Sequence, residues 1–288
     1  MRSIAVALAL AIIAQTPVAA AVADAAPYTL PETESWDMTS AAGETYRIFV
    51  SRPAGPAPEG GYPVLYVLDG NAMFAGFAET RRVRGFGGRD PGGLIVVGIG
   101  YPGDQVYDPR RMRDFTAPIA TPTLKQLYAA YPSGGRDAFR AFLLGELKPA
   151  IAARYPVHPG RQALYGHSLG GLFALHLFYS QPGAFDTIIA ASPSIWWDDQ
   201  AILGEEAAWR ARVGKDGASA HGTRLLLIAG ALETDASIAQ DSAALAQRLA
   251  PLSAAGLRSE LLLLDGETHI TVPHRSITAA LRAATRWP

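Results

Sequence analysis

Short apolar runs alternate with longer segments of helical periodicity along most of the chain. Most of the runs are apolar almost throughout, which is typical of parallel strands that are covered on both faces. Strands are predicted at Thr45–Ser51, Tyr62–Leu68, Gly93–Gly100, Gln162–Tyr165, Thr187–Ala191, Arg224–Ala229 and Ser259–Leu264. Helices are predicted at Arg136–Tyr155, Leu169–Ser180, Ile238–Leu249 and Thr271–Thr285. The alternation indicates an α/β fold in which helices cover both faces of a mostly parallel central sheet.

The alternation continues without an internal repeat or a second block of elements. This favours one domain over residues 24–288. The least regular stretch, residues 101–134, contains five prolines and is long for a connection inside a compact domain. Connections of that length are often functional.

The N-terminus has the pattern of a secretory signal. Arg2 is the only charged residue before Asp24, and the apolar run Ile4–Ile13 is too short to span a bilayer. The small residues at Ala21–Ala23 suit cleavage by signal peptidase. The pattern predicts a signal peptide over residues 1–23, a periplasmic or secreted protein, and no membrane span in the mature chain.

Composition removes several classes of function. The 288 residues include 25 basic and 26 acidic side chains, and the net charge of −1 argues against a nucleic-acid partner. The chain has no Cys, which excludes disulfides, thiolate metal sites, iron–sulfur clusters and cysteine nucleophiles. A hydrophobic fraction of 49% fits a folded globular chain.

The residues Gly166 to Gly170, Gly-His-Ser-Leu-Gly, form a G-x-S-x-G pattern between a predicted strand and a predicted helix. In this setting a sharp turn exposes the serine at the carboxyl edge of the sheet, where the parallel strands end. The N–H groups that begin the helix face charge developing on a substrate. Ser168 is therefore the predicted nucleophile, and Gly166 and Gly170 are both expected to leave no room for a Cβ atom.

A serine hydroxyl needs a base, and the base needs an acid to orient it. In this arrangement the acid and then the base follow the serine along the chain. His269 lies between the last predicted strand and the last predicted helix, and it is the predicted base. His274, at the start of that helix, is the alternative.

Two carboxylates follow the penultimate predicted strand and compete for the role of the acid. Glu233 lies three residues after Gly230, which fits a G-x-x-D/E turn, and it is the preferred acid. Asp235 is the alternative, although an acid there also suits the N-terminus of the next helix.

An oxyanion hole needs two backbone N–H groups. The first is expected from Leu169, the residue after the nucleophile, and the second from Asn71, which follows the strand Tyr62–Leu68. An ordinary turn at the end of a strand is the alternative interpretation of the residues around Asn71.

The sequence resembles the putative-esterase family of α/β-hydrolases, which includes esterase D, the antigen 85 acyltransferases and siderophore esterases. It is most similar to the periplasmic enterobactin-esterase-like branch. The resemblance is carried by Leu65–Phe74 (LYVLDGNAMF), Arg113–Thr116 (RDFT), Tyr165–Leu172 (YGHSLGGL), Ser192–Trp197 (SPSIWW), Gly230–Glu233 (GALE) and Gly266–His269 (GETH).

The resemblance implies an α/β-hydrolase fold and serine hydrolysis of carboxylic esters. It matches Ser168 to the family nucleophile and His269 to the family base. It also implies that catalysis needs no metal and no organic cofactor. Some siderophore esterases work with a Ser–His pair that has no evident third member, so the acid stays open between Glu233, Asp235 and neither.

Seven arginines fall within 33 residues, and three aspartates leave a local charge of +4. The arginines are Arg81, Arg82, Arg84, Arg89, Arg110, Arg111 and Arg113. Together with Trp196 and Trp197, Arg113 is predicted to bind substrate, because a ferric tris-catecholate is a polyanion with aromatic faces. The alternatives are arginines paired with nearby acids on the surface and tryptophans in the core.

The function predicted from these residues is hydrolysis of an ester through an acyl-enzyme. The resemblance implies an enterobactin-like siderophore trilactone as the small-molecule substrate, and the arginine cluster is consistent with it. The first alternative is a short-chain or feruloyl-type esterase, or an acyltransferase. The second is an inactive ligand-binding protein with a hydrolase fold. Reaction with a fluorophosphonate separates the two alternatives, because only an activated serine reacts.

Overall fold

A computed structural model describes residues 24–86, 93–216, 222–234 and 237–285 of the chain. The predicted signal peptide, residues 1–23, lies outside the described residues, as do Arg89 and Asp235. In the part of the chain that the structure describes, no helix has both the length and the hydropathy needed to cross a membrane.

Eight strands of the described residues form a sheet in the order β1-β2-β4-β3-β5-β6-β7-β8. The strands are β1 (Thr33–Thr39), β2 (Thr45–Ser51), β3 (Tyr62–Leu68), β4 (Ile95–Gly100), β5 (Val157–His167), β6 (Thr187–Ala191), β7 (Arg224–Gly230) and β8 (Arg258–Leu264). Pairing is antiparallel between β1 and β2 and between β2 and β4, and parallel from β4 through β8.

Helical segments connect most of the strands. They are α1 (Gly70–Arg84), α2 (Arg110–Phe115), α3 (Pro122–Leu127), α4 (Arg136–Phe142), a π-helical turn (Leu143–Leu147), α5 (Lys148–Arg154), α6 (Leu169–Ser180), the short turn α7 (Trp197–Gln200), α8 (Ile202–Asp216), α9 (Ile238–Leu249), a 3₁₀ turn (Ala250–Ala255) and α10 (Val272–Thr285).

Buried apolar side chains form one cluster on each face of the sheet. Helices α1 and α10 cover one face, where Phe77 and Leu281 pack against strand residues such as Tyr165. Helices α4, α6, α8 and α9 contribute to the other cluster, which includes Phe173 and Trp209. Because strands β3 to β7 are buried on both sides, their apolar runs show no alternation with polar residues.

The predicted fold class is confirmed: the sheet is mostly parallel and helices lie on both faces. Strand β1 was not predicted, because this edge strand is only half-buried and its sequence TESWDMT is largely polar. Strand β5 begins at Val157, earlier than predicted. The predicted helix Arg136–Tyr155 is divided by the π-helical turn, and it ends at Arg154.

The order of the sheet places two helix N-termini side by side. Strands β3 and β5 are neighbours, with β4 beyond one and β6 beyond the other. The connection after β3 therefore runs to one side of this point, and the connection after β5 runs to the other. A crevice opens between them, outside the carboxyl ends of the two strands. Helix α1 starts after β3 and α6 starts after β5, so both helices begin at this crevice.

Candidate active site

Ser168 occupies the turn between β5 and α6, and its backbone is strained. Its φ and ψ are 59° and −118°, a conformation that a residue with a side chain adopts only when the surroundings force it. A Cβ atom on Gly166 would lie 2.1 Å from the carbonyl oxygen of Gly170, so the turn closes only with glycine at position 166. The turn leaves Ser168 half-buried at the carboxyl edge of the sheet.

The expectation for Gly170 is wrong. A Cβ atom there would make ordinary contacts, with Asp69 Oδ2 and Leu68 each at 3.5 Å. The second tight position is Gly171, where a Cβ atom would lie 3.0 Å from both the carbonyl oxygen of Ala191 and the Cα atom of Pro193. Helix α6 approaches the end of β6 at that point, and a side chain would push the two apart.

A hydrogen-bonded chain links a buried carboxylate to the serine hydroxyl. His269 Nε2 lies 3.0 Å from Ser168 Oγ, and His269 Nδ1 lies 2.7 Å from Glu233 Oε1. The Glu233 side chain is fully buried, whereas that of His269 is 33% exposed. The structure thus brings together the three residues that the sequence analysis selected, and His274 lies exposed on α10 beside Gly76 of α1.

The carboxylate of Glu233 is held from several sides. Its Oε2 atom accepts hydrogen bonds from the Ser192 hydroxyl at 2.8 Å and from the Gly230 N–H at 2.6 Å. An ionised carboxylate in this position accepts the Nδ1 proton of His269 and so leaves the Nε2 lone pair directed at Ser168 Oγ. The arrangement can deprotonate the hydroxyl as it attacks an electrophile.

His167 packs against the histidine of this chain. The ring centroids of His167 and His269 are 4.6 Å apart, and His167 is 5% exposed. Burial holds the pKa of His167 well below its usual range, and the nearby His269 and Arg111 lower the pKa further. The ring next to His269 is therefore neutral, and it adds no positive charge that would oppose protonation of His269.

The predicted donors of the oxyanion hole begin neighbouring helices. Leu169 is the first residue of α6, and Asn71 is the second residue of α1. The side chain of Asn71 accepts a hydrogen bond from the Tyr101 N–H at 2.8 Å and donates to the carbonyl oxygens of Tyr101 at 3.0 Å and Gly103 at 3.2 Å. These bonds tie the loop after β4 to the start of α1. The oxyanion role of the two N–H groups stays a prediction.

The described arginines of the basic segment pair with acids wherever their contacts are resolved. Arg81 is buried and pairs with Glu32, Arg82 pairs with Glu79 on α1, and Arg110 pairs with Asp108. The local charge of +4 is therefore offset by carboxylates, partly from acids that lie far away in the sequence. The alternative of surface arginines paired with nearby acids describes Arg82 and Arg110, whereas Arg81 is buried and its partner is distant in the sequence.

Arg111 and Arg113 lie nearer to the elbow and are paired as well. Arg111 makes a bidentate pair with Asp69 at 2.7 and 2.9 Å, and both side chains are largely buried. Arg113 binds Asp114 at 2.8 Å and also binds Glu44. The predicted role of Arg113 in binding substrate depended on an unbalanced positive charge. Two carboxylates balance that charge, so the structure gives this role no support.

The two tryptophans differ in their surroundings. Trp197 is 5% exposed and packs in the core, with its ring centroid 5.0 Å from that of Tyr128. Trp196 is partly buried against the same core cluster. The structure thus contradicts a surface role for Trp197, because its ring is enclosed by apolar neighbours, and the core alternative describes it. Substrate binding by Trp196 stays a prediction.

Two serines near the reacting groups were not predicted as site residues. Ser192 donates to Glu233, and Ser194 Oγ lies 3.3 Å from Ser168 Oγ. Both fall in the stretch SPSIWW, in which the two tryptophans carried a predicted role but the serines contributed only to the family resemblance. A signal was present, since two hydroxyls directly after a buried strand of a parallel sheet must lie at the same edge as the nucleophile.

The described residues contain no group of three or more His, Asp or Glu side chains that could hold a metal ion. That catalysis needs no metal or organic cofactor stays a prediction.

Comparison with known proteins finds a family and close relatives. The profile of the family described as putative esterase matches residues 39–269. A Bacillus subtilis protein named ferri-bacillibactin esterase is 37% identical over 265 residues, which cover 89% of this chain and 91% of the relative.

Two solved structures are similar over most of this chain. A crystal structure of the BES protein from Bacillus cereus has a TM-score of 0.83 and 32% identity, and the match covers 93% of this chain and all of that one. A siderophore hydrolase, EstB, from Aspergillus nidulans has a TM-score of 0.74 and 31% identity, and the match covers 92% of this chain and 99% of that one.

Proposed function

This chain belongs to the putative esterase family and is a carboxylic ester hydrolase, and we propose that it cleaves siderophore esters through an acyl-enzyme on Ser168. The observation that carries the mechanism is the unbroken chain from buried Glu233 through His269 to Ser168, with contacts of 2.7 and 3.0 Å. A ligand-binding protein has no need of a buried carboxylate, an oriented imidazole and a strained serine in contact.

In the first step His269 Nε2 takes the proton of the Ser168 hydroxyl while Oγ bonds to the ester carbonyl carbon. The carbonyl electron pair moves onto oxygen, and Glu233 stabilises the imidazolium that has formed. The intermediate collapses when the alcohol oxygen leaves with its bonding electrons and takes the proton from Nε2. Water then adds to the acyl-enzyme in the same way, and Ser168 is regenerated.

We assign the oxyanion hole to the N–H groups of Leu169 and Asn71. Helices α6 and α1 begin side by side at the carboxyl edge, so their N-terminal N–H groups and dipoles favour negative charge in the crevice between them. Loss of one such donor costs roughly 3 kcal/mol of transition-state stabilisation.

The substrate class is supported by the relatives, two of which are named for siderophores: a ferri-bacillibactin esterase and a siderophore hydrolase. Within that class we propose an aromatic, anionic catecholate with ester linkages. Tyr107 offers an aromatic surface for it: its side chain is 44% exposed, and its ring lies 5.3 Å from Arg111, whose guanidinium contacts the carbonyl oxygen of His167. The N-terminal pattern adds the proposal that the protein is exported to the periplasm or secreted.

One observation favours a second candidate, a general short-chain or aryl esterase. Arg110, Arg111 and Arg113 are each paired with a carboxylate, so they do not present an uncompensated positive surface that would select a polyanion.

The test compares kcat/KM of the purified protein on ferric and iron-free enterobactin and on p-nitrophenyl butyrate. The siderophore proposal expects at least tenfold higher efficiency on one form of enterobactin. Equal or higher efficiency on the aryl ester would reject the siderophore and leave the esterase.

The Ser168→Ala variant tests the mechanism itself. We expect turnover of every ester and labelling by a fluorophosphonate to be lost, with the thermal midpoint retained. Ser180→Ala, at the far end of the same helix, is the matched control and should keep both activities. Turnover by Ser168→Ala would show that the nucleophile lies elsewhere.

A further inference from the structure

The Ser-Pro-Ser segment, Ser192 to Ser194, follows β6 and contacts both ends of the proposed catalytic chain, Glu233 and Ser168. Ser192 has a φ of 44°, in the left-handed region that is strained for a residue with a side chain. Its N–H donates to the carbonyl oxygen of Ile228 on β7, and the Ser194 N–H donates to the carbonyl oxygen of Ser168. The segment is thus fixed to β7 on one side and to the elbow on the other.

The two hydroxyls of this segment have different partners. Ser192 donates to Glu233 Oε2 at 2.8 Å and so supports the acid. Ser194 is 1% exposed, and its Oγ atom lies 3.3 Å from Ser168 Oγ. Pro193 separates them and packs against Gly171.

The direction of the hydrogen bond between Ser194 and Ser168 follows from the proton positions. Glu233 accepts the Nδ1 proton of His269, so Nε2 is an acceptor and takes the single proton of the Ser168 hydroxyl. Ser168 Oγ then has only lone pairs left for Ser194. A hydrogen bond across this contact therefore requires Ser194 to be the donor.

We propose that the Ser194 hydroxyl is a further catalytic group, which donates to the nucleophilic oxygen and holds it in the rotamer that gives its proton to His269. The donation also stabilises the negative charge that builds on Oγ as the proton leaves. The proposal rests on Ser168 being the nucleophile, and it does not depend on which ester is the substrate.

The donation acts unequally on the two halves of the reaction. During acylation Ser168 Oγ is the attacking atom and carries developing charge. In the acyl-enzyme Oγ is an ester oxygen, which is a weak acceptor, while water attacks, and it carries charge only afterwards, when it leaves the second intermediate. His269, by contrast, is the base in both halves, so support of Glu233 by Ser192 affects acylation and deacylation alike.

Burst kinetics with p-nitrophenyl butyrate measure the two rates separately. For Ser194→Ala we expect acylation to fall about tenfold, the rate equivalent of about 1.4 kcal/mol, and deacylation to fall less than threefold. Inactivation by a fluorophosphonate should slow by the same factor as acylation, while the dissociation constant of the ester stays within twofold. Ser192→Ala should lower both steps by a similar factor.

Ser276→Ala is the control for loss of a buried hydroxyl elsewhere, since Ser276 bonds to Tyr165 on the opposite face of the sheet. The Ser276→Ala variant should keep the rates of acylation and deacylation within twofold of the wild-type values. The exponential rate constant of the burst does not depend on enzyme concentration, and fluorophosphonate labelling carried to completion counts the active enzyme for the steady-state rate. The two rates therefore stay interpretable even if Ser194→Ala lowers the yield of folded protein. Equal decreases in acylation and deacylation, or no decrease in either, would overturn the proposal. Turnover by Ser168→Ala would instead show that Ser168 is not the nucleophile, and the proposal for Ser194 would fail together with the proposed function.

Discussion

Two polar regions of the molecule satisfy their polar groups in opposite ways, and Arg111 brings the second of them to the carboxyl edge, where the first lies. In the serine region, Ser168, Ser192 and Ser194, hydroxyls converge on the reacting atoms and on the carboxylate that orients His269. In the arginine region, residues 81–113, Arg81, Arg82, Arg110, Arg111 and Arg113 are each paired with a carboxylate of the protein itself. Several polar groups that converge on one reactive atom, here Ser168 Oγ, indicate a catalytic site. A cluster of arginines does not indicate a binding site for an anion when each arginine is already paired with a carboxylate.

The two regions also differ in how exposed their key groups are. The nucleophile and its base are half-buried, with the His269 side chain 33% exposed. Arg111 and Asp69 are 15% and 2% exposed, and their bidentate pairing leaves little capacity for an external ligand. The comparison therefore predicts that variants of the serine region change rates and that variants of the arginine region change stability.

The largest expected effect tests whether the buried carboxylate orients His269. Glu233→Gln should lower kcat by about 10³- to 10⁴-fold, because the amide can present its N–H group to Nδ1 and leave His269 in the wrong tautomer. The thermal midpoint should change much less. Asp235→Asn, which removes the alternative acid, should leave kcat within threefold, and a large loss there would transfer the role to Asp235.

The next effect concerns stability in the arginine region. Arg111→Ala leaves the carboxylate of Asp69 buried without its guanidinium, and such losses cost about 3–5 kcal/mol of unfolding free energy. Urea denaturation measures the loss. Arg110→Ala is the matched control, since its pair with Asp108 is 33% and 14% exposed and should contribute about 1 kcal/mol or less. If Arg111→Ala kept its stability and raised KM for anionic esters, the region would be a substrate site after all.

The smallest expected effect lies between the two regions, at His167. Its depressed pKa means that the unfolded chain binds a proton near pH 6.5 that the folded protein does not. Its contribution to stability is therefore complete above about pH 6.5 and falls at lower pH by up to about 1.4 kcal/mol per pH unit. His167→Asn should flatten the pH dependence of the unfolding free energy between pH 6.5 and 5. If the unfolding free energy, measured by urea denaturation at several pH values, depends on pH equally in the variant and the wild type, the ring is protonated in the folded protein.

The elements that sequence analysis predicted best are those whose pattern is decided locally. Strands β3 and β6 and helix α6 have the predicted bounds, because buried strands read as continuous apolar runs and glycine marks the elbow. Strand β2 also has the predicted bounds, and its buried and half-buried residues alternate. Ser168, His269 and Glu233 were selected from their positions after strands, and the structure brings them into contact.

Features that depend on distant partners were not predictable. The pairing of Arg81 with Glu32 and of Arg113 with Glu44 joins residues far apart in the sequence, so a local count of charges missed both. The edge strand β1 gains its order from pairing with β2, and its own pattern is too polar to reveal it. The steric need at Gly171 arises from β6, which no local motif contains.

The unequal room at the glycines of the elbow has an evolutionary consequence. Every missense change at Gly166 adds a Cβ atom against the Gly170 carbonyl oxygen, so no other amino acid is tolerated at that position. Gly170 has space for a methyl group, so a lineage can drift there to alanine without losing the turn. Descendants of this enzyme would then keep their chemistry while escaping any sequence search that demands the final glycine of G-x-S-x-G.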